Sequence, residues 1–283
     1  MRATIQYIRK ELQNYHTPSE INGLIRLIFF DLRGYSSTDL ILKQEEKLTP
    51  SETERVSRVV SRLKTDEPVQ YILGYTEFYG LTLNVNPSVL IPRPETEELV
   101  DWIVTDHQSP PGKILDIGTG SGCIALALKK SFGTAEVIAC DISSGALQIA
   151  RHNASINHLD IRFLKADILL WESFADWEPT SLMVSNPPYV TRKEMNLMKK
   201  NVLEFEPHQA LFVPDEDPLL FYRRIAGFAT KWLLPQGKLF LEINEHFGRE
   251  VVELLGSSGF RDIEIRKDMQ GKDRMVKACQ QGL

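Results

Sequence analysis

Four consecutive residues, Asn186-Pro187-Pro188-Tyr189, carry the groups needed to hold a flat NH₂ group. The two prolines fix φ and remove two backbone donors, so this stretch predicts a stiff loop whose carbonyl oxygens can accept hydrogen bonds. The Asn186 side-chain oxygen and the Pro187 backbone oxygen could each accept one hydrogen, and the Tyr189 ring could stack on the flat group. Held in this way, the nitrogen would face an electrophile without help from a metal ion.

Residues 116–122 read Asp-Ile-Gly-Thr-Gly-Ser-Gly, directly after an apolar strand and before a helix. Glycines at such a turn let the backbone bend tightly and let a ligand approach it closely, although a plain tight turn can also contain them. A dinucleotide site would need glycine at position 123, where this chain has Cys123. The acid before the glycines, Asp116, suits a ligand that carries an amino group. The loop therefore predicts a cofactor site. We expect five residues to contact the cofactor: Gly118, Thr119, Gly120, Ser121 and Gly122.

Two further acids follow the next two predicted strands. Asp141 lies about 20 residues beyond the glycines, where a carboxylate can accept both ribose hydroxyls of an adenosine ligand. Asp167 could accept a hydrogen bond from the exocyclic amine of the adenine. Either acid could instead cap the helix that follows it.

The candidate site residues fall at the ends of apolar strands that alternate with helices. Predicted strands cover residues 113–117, 136–140, 161–165, 181–185 and 238–243, and predicted helices lie near 121–131, 144–157 and 217–234. This alternation is typical of a doubly wound, Rossmann-like α/β sheet that is mainly parallel, and such sheets bind ligands beyond the carboxyl ends of their strands. Residues 263–266 and 274–278 predict an antiparallel hairpin that closes the sheet.

The chain before this sheet has a different pattern. Residues 1–66 place apolar side chains at three- and four-residue spacing, and helix-start signals such as Thr17-Pro18 and Thr49-Pro50 recur, so a small all-helical domain is predicted. Residues 67–92 are rich in aromatic and aliphatic side chains and predict a β-hairpin linker. Residues 93–283 would then form the cofactor-binding domain.

Composition limits the possible partners. The 283-residue chain has a formal net charge of -5, whereas a protein that wraps nucleic acid normally concentrates Lys and Arg, so we expect no direct contact with nucleic acid. The 3 cysteines lack the spacing of a metal site or a disulfide framework, which fits a reducing compartment. No apolar run reaches the roughly 18 residues of a membrane span. We therefore expect a soluble, cytoplasmic monomer that carries no metal and does not bind a membrane.

From about residue 67 to 278, the motifs resemble those of the release-factor glutamine methyltransferases, the PrmC/HemK family. Beside the glycine loop and Asn186-Pro187-Pro188-Tyr189, the matching motifs are Glu67-Pro68-Val69-Gln70-Tyr71-Ile72-Leu73-Gly74, Glu77-Phe78-Tyr79-Gly80, Leu90-Ile91-Pro92-Arg93-Pro94-Glu95-Thr96-Glu97 and Glu206-Pro207-His208-Gln209-Ala210-Leu211. The motif at 90–97 separates this family from the DNA adenine methyltransferases that share Asn-Pro-Pro-Tyr.

The resemblance implies that S-adenosylmethionine is the methyl donor, with S-adenosylhomocysteine as the product. The implied acceptor is the side-chain amide nitrogen of the glutamine in the Gly-Gly-Gln loop of peptide chain release factors. By the family pattern, residues 118–122, Asp141 and Asn186 would contact the cofactor. Ile168 would lie near the adenine, and residues 186–189 would hold the glutamine. The helical domain would bind the release factor.

The chain departs from the family pattern at three places: Phe212-Val213-Pro214-Asp215 in place of paired glycines, Phe247 in place of a common Gln, and Ile168 in place of a frequent aromatic residue. Within the matching motifs, Arg93 has two possible roles. It either pairs with Glu95 or Glu97 on the surface, or belongs to a segment that folds over the cofactor pocket.

Other functions also fit the Asn-Pro-Pro-Tyr loop. The exocyclic amine of a flipped adenine is a planar NH₂ as well, so a nucleic-acid adenine-N6 methyltransferase is the first alternative. A non-catalytic module that binds adenosine is the second. The loop could also be only a rigid turn in which Asn186 caps and Tyr189 packs.

Overall fold

A computed structural model describes residues 1–173 and 177–281 of the chain. The chain forms two compact units. One contains Met1–Gly74 together with Lys199–Phe205, and the other contains Tyr75–Met198 and the chain from Glu206 onward. The first unit is helical, and the second is built on a β-sheet. The helical unit therefore continues past residue 66 and includes a second, distant segment of the chain.

The helices run in chain order as α1 (Arg2–Leu12), α2 (Pro18–Arg33), α3 (Ser37–Leu42), α4 (Pro50–Leu63), α5 (Val69–Leu73), α6 (Pro94–Asp106), α7 (Cys123–Ser131), α8 (Ser144–Ile156), α9 (Lys200–Phe205), α10 (Leu220–Trp232) and α11 (Gly248–Ser257). The strands are β1 (Tyr75–Phe78), β2 (Leu81–Asn84), β3 (Lys113–Ile117), β4 (Glu136–Asp141), β5 (Arg162–Lys165), β6 (Thr180–Ser185), β7 (Val190–Thr191), β8 (Phe212–Val213), β9 (Leu233–Glu242), β10 (Phe260–Lys267) and β11 (Asp273–Gln280). Short 3-10 segments cover Ile168–Ser173, Arg192–Leu197 and His208–Ala210. In the part of the chain that the structure describes, no helix has the length and apolar character needed to cross a membrane.

Capping boxes start three helices of the helical unit. At Thr17, Ser36 and Thr49 the side-chain oxygen accepts a hydrogen bond from the backbone N–H three residues later, and the acid at that later position accepts one from the N–H of the cap. These reciprocal bonds satisfy donors that a helix start leaves free. Helices α1, α2 and α4 each bury one apolar face, and the side chains of Leu12 and Phe29 are fully buried.

Among the residues that the structure describes, the sheet of the second unit has seven strands in the order β10-β11-β9-β6-β3-β4-β5. Strands β9, β6, β3, β4 and β5 pair in parallel, whereas β11 pairs antiparallel with both β9 and β10. The predicted doubly wound, mainly parallel sheet with a closing antiparallel hairpin is therefore confirmed. The chain passes from β3 outward through β4 and β5 and then returns to place β6 on the other side of β3. At such a reversal of strand order a ligand crevice opens beyond the carboxyl ends.

Both faces of the sheet are covered. Consecutive residues of a strand point to opposite faces, so Ile114 joins an apolar cluster with Trp102 and Leu126, whereas Leu115 joins a cluster with Phe228. The first cluster packs α6 and α7 on one face, and the second packs α10 on the other. Burial on two faces explains why these strands are continuous apolar runs and do not alternate with polar residues.

The hairpin predicted over residues 67–92 is shorter than expected and follows a helix. Helix α5 covers Val69–Leu73, and only β1 and β2 form the hairpin. Its turn holds Tyr79 and Gly80 at φ values of 47° and 68°, as a two-residue hairpin turn of type I′ requires. The prediction is wrong for α5 because aromatic and aliphatic residues fit a short buried helix as well as a strand.

Two elements near the end of the sheet also differ from the prediction. Strand β9 begins at Leu233, directly after α10, and its pairing with β6 passes from Leu233 to Lys238 across an irregular stretch. Residues 234–237 contain Pro and Gly, and they form an irregular stretch within the strand, between its two paired segments. The sequence pattern does not predict α11, whose buried residues are only Gly248, Val251 and Leu255.

Replacing Phe29 by alanine should destabilise the helical unit. The Phe29 side chain is 0% exposed, and loss of a buried phenylalanine ring costs about 3–5 kcal/mol. Urea unfolding followed by far-UV circular dichroism would measure the change. The adjacent Phe30 is 48% exposed, so Phe30→Ala should change the free energy of unfolding by only about 0.5 kcal/mol. Equal effects of the two substitutions would contradict the packing described for α2.

Candidate active site

A cavity of about 210 Å³ lies beyond the carboxyl ends of β3, β4, β5 and β6. This is the position at which open α/β sheets bind their ligands, and the space is on the order of ten times what one water molecule needs. The predicted site residues that line it are Gly118, Thr119, Gly120, Ser121, Asp141, Asp167, Ile168, Asn186, Pro187 and Pro188. Gly122 and Tyr189 do not line it. Within residues 1–173 and 177–281, no group of three or more His, Cys, Asp or Glu side chains could hold a metal ion.

The glycine loop turns over the end of β4. The backbone N–H groups of Gly118 and Thr119 both donate to the Cys140 carbonyl oxygen at 2.9 Å. Gly118 and Gly120 have φ values of 73° and 55°, and a Cβ on either residue would meet no other atom within 4 Å. These two glycines therefore present bare backbone, with open space in front of it, at the wall of the cavity.

Gly122 serves the packing of helices. Its φ is 85°, and a Cβ there would lie 2.5 Å from Leu126 Cδ1 and 3.2 Å from Ala150 Cβ. The missing side chain thus lets α7 approach α8 closely behind the loop. The predicted contact of Gly122 with the cofactor stays a prediction.

The carboxyl group of Asp116 braces the loop from inside the fold. It is fully buried, and its Oδ2 accepts hydrogen bonds from the Thr119 hydroxyl at 2.6 Å and from the Ala125 N–H at 3.2 Å. Burial raises the pKa of Asp116 to about 7. Asp116 does not line the cavity. Its observed contacts hold the glycine loop on the first turn of α7, and they do not support the expected contact with an amino group of the ligand.

Asp141 lines the cavity and has acceptor capacity to spare. Its Oδ2 accepts the Gly120 N–H at 2.9 Å, and its Oδ1 accepts the Ser143 N–H at 2.8 Å. Each carboxylate oxygen has a further lone pair, so both oxygens can still accept from a diol. Ser143 caps α8, because its hydroxyl accepts the Ala146 N–H at 3.2 Å. The alternative that Asp141 is the cap of this helix is therefore wrong. Burial raises the pKa of Asp141.

Asp167 and several apolar side chains also line the cavity. Asp167 Oδ1 accepts the Leu169 N–H at 2.9 Å, which is the local bond expected of a cap, and the residue also lines the cavity. The apolar lining residues here are Ile142, Ile168, Leu169, Phe221 and Ile225. Such side chains suit a flat apolar ring. Of this group, only Ile168 is predicted from the sequence.

Asn186 is held at the cavity by a chain of hydrogen bonds that runs into the protein. Its Nδ2 donates to the Thr96 hydroxyl at 3.1 Å, and that hydroxyl donates to Glu242 Oε2 at 2.7 Å. The Tyr189 hydroxyl donates to the other carboxylate oxygen, Oε1, at 3.0 Å. Within the described part of the chain, Asn186 Oδ1 and the Pro187 carbonyl oxygen accept no hydrogen bond.

Glu242 is an acid with almost no access to solvent. Burial raises its pKa, whereas the hydroxyl donors Thr96 and Tyr189 and the positive charge of Arg274 lower it. Burial also raises the pKa of Tyr189 well above its usual value, so this hydroxyl keeps its proton. Neither Thr96 nor Glu242 is predicted from the sequence as a site residue. Two sequence features could have identified them: Thr96 lies within a motif of the family, and Glu242 lies at the end of an apolar strand.

Arg93 pairs with an acid that is distant in sequence. Its Nη2 donates to Glu206 Oε1 at 2.6 Å, and the Ile91 N–H donates to Glu206 Oε2 at 3.3 Å. The Glu206 side chain is 1% exposed, and Arg93 lines the cavity. The surface pairs with Glu95 or Glu97 are therefore wrong. The Arg93–Glu206 contact joins two of the motifs recognised in the sequence.

A two-residue strand pairing anchors the exit of the Asn-Pro-Pro-Tyr loop. In the parallel pair of β7 and β8, Val190 lies opposite Phe212 and Thr191 lies opposite Val213. The Val190 N–H also donates to the Leu211 carbonyl oxygen at 2.9 Å. The departure from the family pattern at Phe212 thus supplies a strand beside the loop.

Two family models, several relatives and a solved structure are similar to this chain. Residues 96–206 match the family model "Methyltransferase small domain", and residues 3–74 match "PrmC N-terminal domain". The chain is 43% identical to a release factor glutamine methyltransferase of Bacteroides thetaiotaomicron over 280 residues, which are 98% of this chain and 99% of that one. It is 45% identical to the protein of that name from Flavobacterium psychrophilum over 91% of each. The crystal structure of a methyltransferase from Pyrococcus furiosus has a TM-score of 0.53 at 17% identity, covers 83% of this chain and 100% of its own, and shares the fold.

Replacing Gly122 by alanine should destabilise the second unit. The new Cβ would clash with Leu126 and sit on a backbone with φ of 85°, and the two effects together should cost about 2–4 kcal/mol. Thermal unfolding followed by tryptophan fluorescence would measure the loss. At Gly227, inside α10, a Cβ would meet nothing within 4 Å, so Gly227→Ala should be neutral or stabilise by up to about 1 kcal/mol. A Gly122→Ala protein as stable as its parent would refute the packing role.

Proposed function

The chain belongs to the release factor glutamine methyltransferases, and we propose that it transfers a methyl group from S-adenosylmethionine to the side-chain amide nitrogen of the glutamine in the Gly-Gly-Gln loop of peptide chain release factors. The family assigned from the sequence motifs is confirmed by these relatives. One observation carries the proposal. Acceptors for a planar NH₂, at Asn186 and Pro187, line the same cavity as the Asp141 carboxylate, which can accept from an adenosine ribose.

The residues of the cavity fit an adenosine-bearing methyl donor. Asp141 would accept the two ribose hydroxyls, and the open space at Gly118 and Gly120 would admit the sulfur-bearing chain. Adenine would lie against the apolar side chains around Ile168, with Asp167 accepting from its amine. When bound, S-adenosylmethionine supplies a methyl group on a positively charged sulfur, and S-adenosylhomocysteine is left after the transfer.

The Asn-Pro-Pro-Tyr loop orients the acceptor nitrogen. Asn186 Oδ1 and the Pro187 carbonyl oxygen accept the two hydrogens of the glutamine NH₂, so a face of the nitrogen is turned toward the methyl carbon. Both oxygens favour the positive charge that builds up on nitrogen as the N–C bond forms and the C–S bond breaks. The nitrogen then passes one proton to solvent water, which leaves a neutral methylated amide. Because an amide nitrogen is a poor nucleophile, such positioning, worth up to about 7–11 kcal/mol in favourable cases, supplies much of the catalysis.

Pro188 and Tyr189 complete the substrate contact in this proposal. Pro188 stiffens the loop, and the Tyr189 ring stacks on the glutamine amide. Two hydrogen bonds fix the position of Tyr189. Glu242 accepts a hydrogen bond from the Tyr189 hydroxyl, and Asn244 Nδ2 donates one to the Tyr189 carbonyl oxygen at 3.1 Å.

Residues 1–66 are assigned to recognition of the release factor. The match of this region to the family's N-terminal model supports that role. Two exposed apolar side chains on α3, Ile41 and Leu42, are also of the kind that a protein partner covers. Residues 67–92 would link this domain to the methyltransferase domain, 93–283. We propose that the protein acts as a monomer in the cytoplasm and does not contact nucleic acid directly.

Incubation of the protein with S-adenosylmethionine and a purified release factor should add one methyl group to the glutamine of the Gly-Gly-Gln loop, and mass spectrometry of the digested factor would locate it. Asn186→Ala should reduce the turnover by about 100-fold or more, because it removes a preorganised group that stabilises developing charge. Far-UV circular dichroism should stay unchanged.

Three results would count against this assignment. Turnover of Asn186→Ala within about tenfold of the parent would contradict the role of the amide oxygen. Transfer of a radiolabelled methyl group to DNA and not to the release factor would favour the adenine alternative. Tight binding of S-adenosylmethionine without transfer to either acceptor would favour the non-catalytic module.

Asp141→Ala should weaken the binding of S-adenosylmethionine. Loss of the charged hydrogen bonds to ribose should raise the free energy of binding by about 1.5–3 kcal/mol, which isothermal titration calorimetry would measure as a larger dissociation constant. The matched control is Asp160→Ala, at an exposed position outside the cavity lining, which should leave the constant unchanged. An unchanged constant for Asp141→Ala would refute the ribose assignment.

A further inference from the structure

The amide of Asn186 must face the substrate with its oxygen, and the amide alone does not select that orientation. The oxygen and nitrogen of a carboxamide are nearly equal in size, so half a turn of the group exchanges an acceptor for a donor. In the reversed orientation, Nδ2 would meet the NH₂ of the substrate, donor against donor. A feature outside the Asn-Pro-Pro-Tyr motif must therefore select one orientation.

The Glu242 carboxylate is the fixed end of the hydrogen-bond chain. A carboxylate has no proton to donate, so it must accept from both of its neighbours, the Thr96 hydroxyl at 2.7 Å and the Tyr189 hydroxyl at 3.0 Å. Glu242 is 1% exposed, so bulk water has almost no access to compete for these bonds. Burial raises the pKa of Glu242, whereas the two hydroxyl donors and the positive charge of Arg274 oppose this rise and favour the carboxylate form.

Thr96 transmits this constraint to Asn186. A hydroxyl has one proton, and the proton of Thr96 is used on Glu242, so the Thr96 oxygen can only accept from its other neighbour. The Asn186 atom at 3.1 Å from that oxygen must then be the donor, Nδ2. Its Oδ1 is therefore the atom that remains for the substrate.

We propose that Thr96 and Glu242 are positioning residues that lock the Asn186 amide with Oδ1 toward the acceptor NH₂. This inference rests on the proposed function of the Asn-Pro-Pro-Tyr loop. Thr96 lies on the first turn of α6 and Glu242 ends β9, so the lock comes from two elements outside the motif. It also assigns a specificity. A glutamate side chain has an oxygen in place of the substrate NH₂. That oxygen would face Asn186 Oδ1, acceptor against acceptor, so glutamate would be rejected.

Thr96→Val tests the first link, because it removes the hydroxyl and preserves the shape of the side chain. With the lock broken, kcat for methylation of a release factor should fall by about 10- to 100-fold. The KM for the release factor and the dissociation constant of S-adenosylmethionine should change by only about twofold, since Thr96 acts on the transfer step. Thr96→Ser keeps the hydroxyl and should recover kcat to within about threefold of the parent.

Glu242→Gln tests the second link. Glutamine has nearly the same size but offers only one acceptor oxygen, so one of the two hydroxyls must face an NH₂. When that hydroxyl belongs to Thr96, its proton turns toward Asn186 and the amide reverses. The NH₂ faces Thr96 in only part of the molecules, so we expect kcat to fall, but by less than for Thr96→Val, again with S-adenosylmethionine bound as tightly as by the parent.

A double-mutant cycle separates positioning from general structural support. If Thr96 acts through Asn186, then Thr96→Val should add no further loss to the residual rate of Asn186→Ala. An additive loss in the double variant would overturn the lock, because Thr96 would then support the site independently of Asn186. So would a kcat of Thr96→Val within about threefold of the parent.

The parent protein distinguishes this failure from failure of the proposed function. If the parent methylates the release-factor glutamine and Thr96→Val does so at the same rate, only the lock is wrong. If the parent leaves that glutamine unmodified while S-adenosylmethionine is bound, the proposed function is wrong, and the positioning role of Thr96 and Glu242 is wrong as well.

Discussion

The parallel pairing of β3 with β4 on one side and with β6 on the other is the constraint on which the site depends. The glycine loop follows β3, Asp141 ends β4 and Asn186 follows β6. Because parallel strands end at the same edge, segments far apart in the chain are delivered to one cavity. The Ser185 hydroxyl, which donates to the Ile117 carbonyl oxygen at 2.7 Å, ties the ends of β6 and β3 together at this edge.

Buried acids then set the fine geometry of the loops. Asp116 holds the glycine loop, Glu206 holds the segment around Arg93, and Glu242 holds the hydrogen-bond chain that ends at Asn186. Each acid loses hydration on burial, and each recovers part of that cost by accepting at least two hydrogen bonds. Apolar packing locates helices and strands, but only directional bonds can decide which way an amide or a carboxylate faces.

The sequence predicts the parallel strands well, because buried runs followed by Gly, Asp or Asn are a strong local pattern. It predicts less well the elements whose composition is ambiguous, such as α5, or whose buried stripe is short, such as α11. The same division holds at the site. Asp141 lines the cavity, whereas Asp116 and Gly122, which belong to the same motif as other lining residues, lie behind the loop. A motif identifies a loop but does not say which of its members turn inward.

By itself the sequence determined the family, the fold class, the cofactor class and the residues of the Asn-Pro-Pro-Tyr loop, since each is encoded in neighbouring residues or in a regular period. Only the tertiary structure decided that Arg93 pairs with Glu206, 113 residues away, and that Thr96 reaches Glu242, 146 residues away. Such pairs leave no local pattern, because they form only when segments far apart in the chain meet in the folded protein. The orientation of Asn186 depends on the second of them.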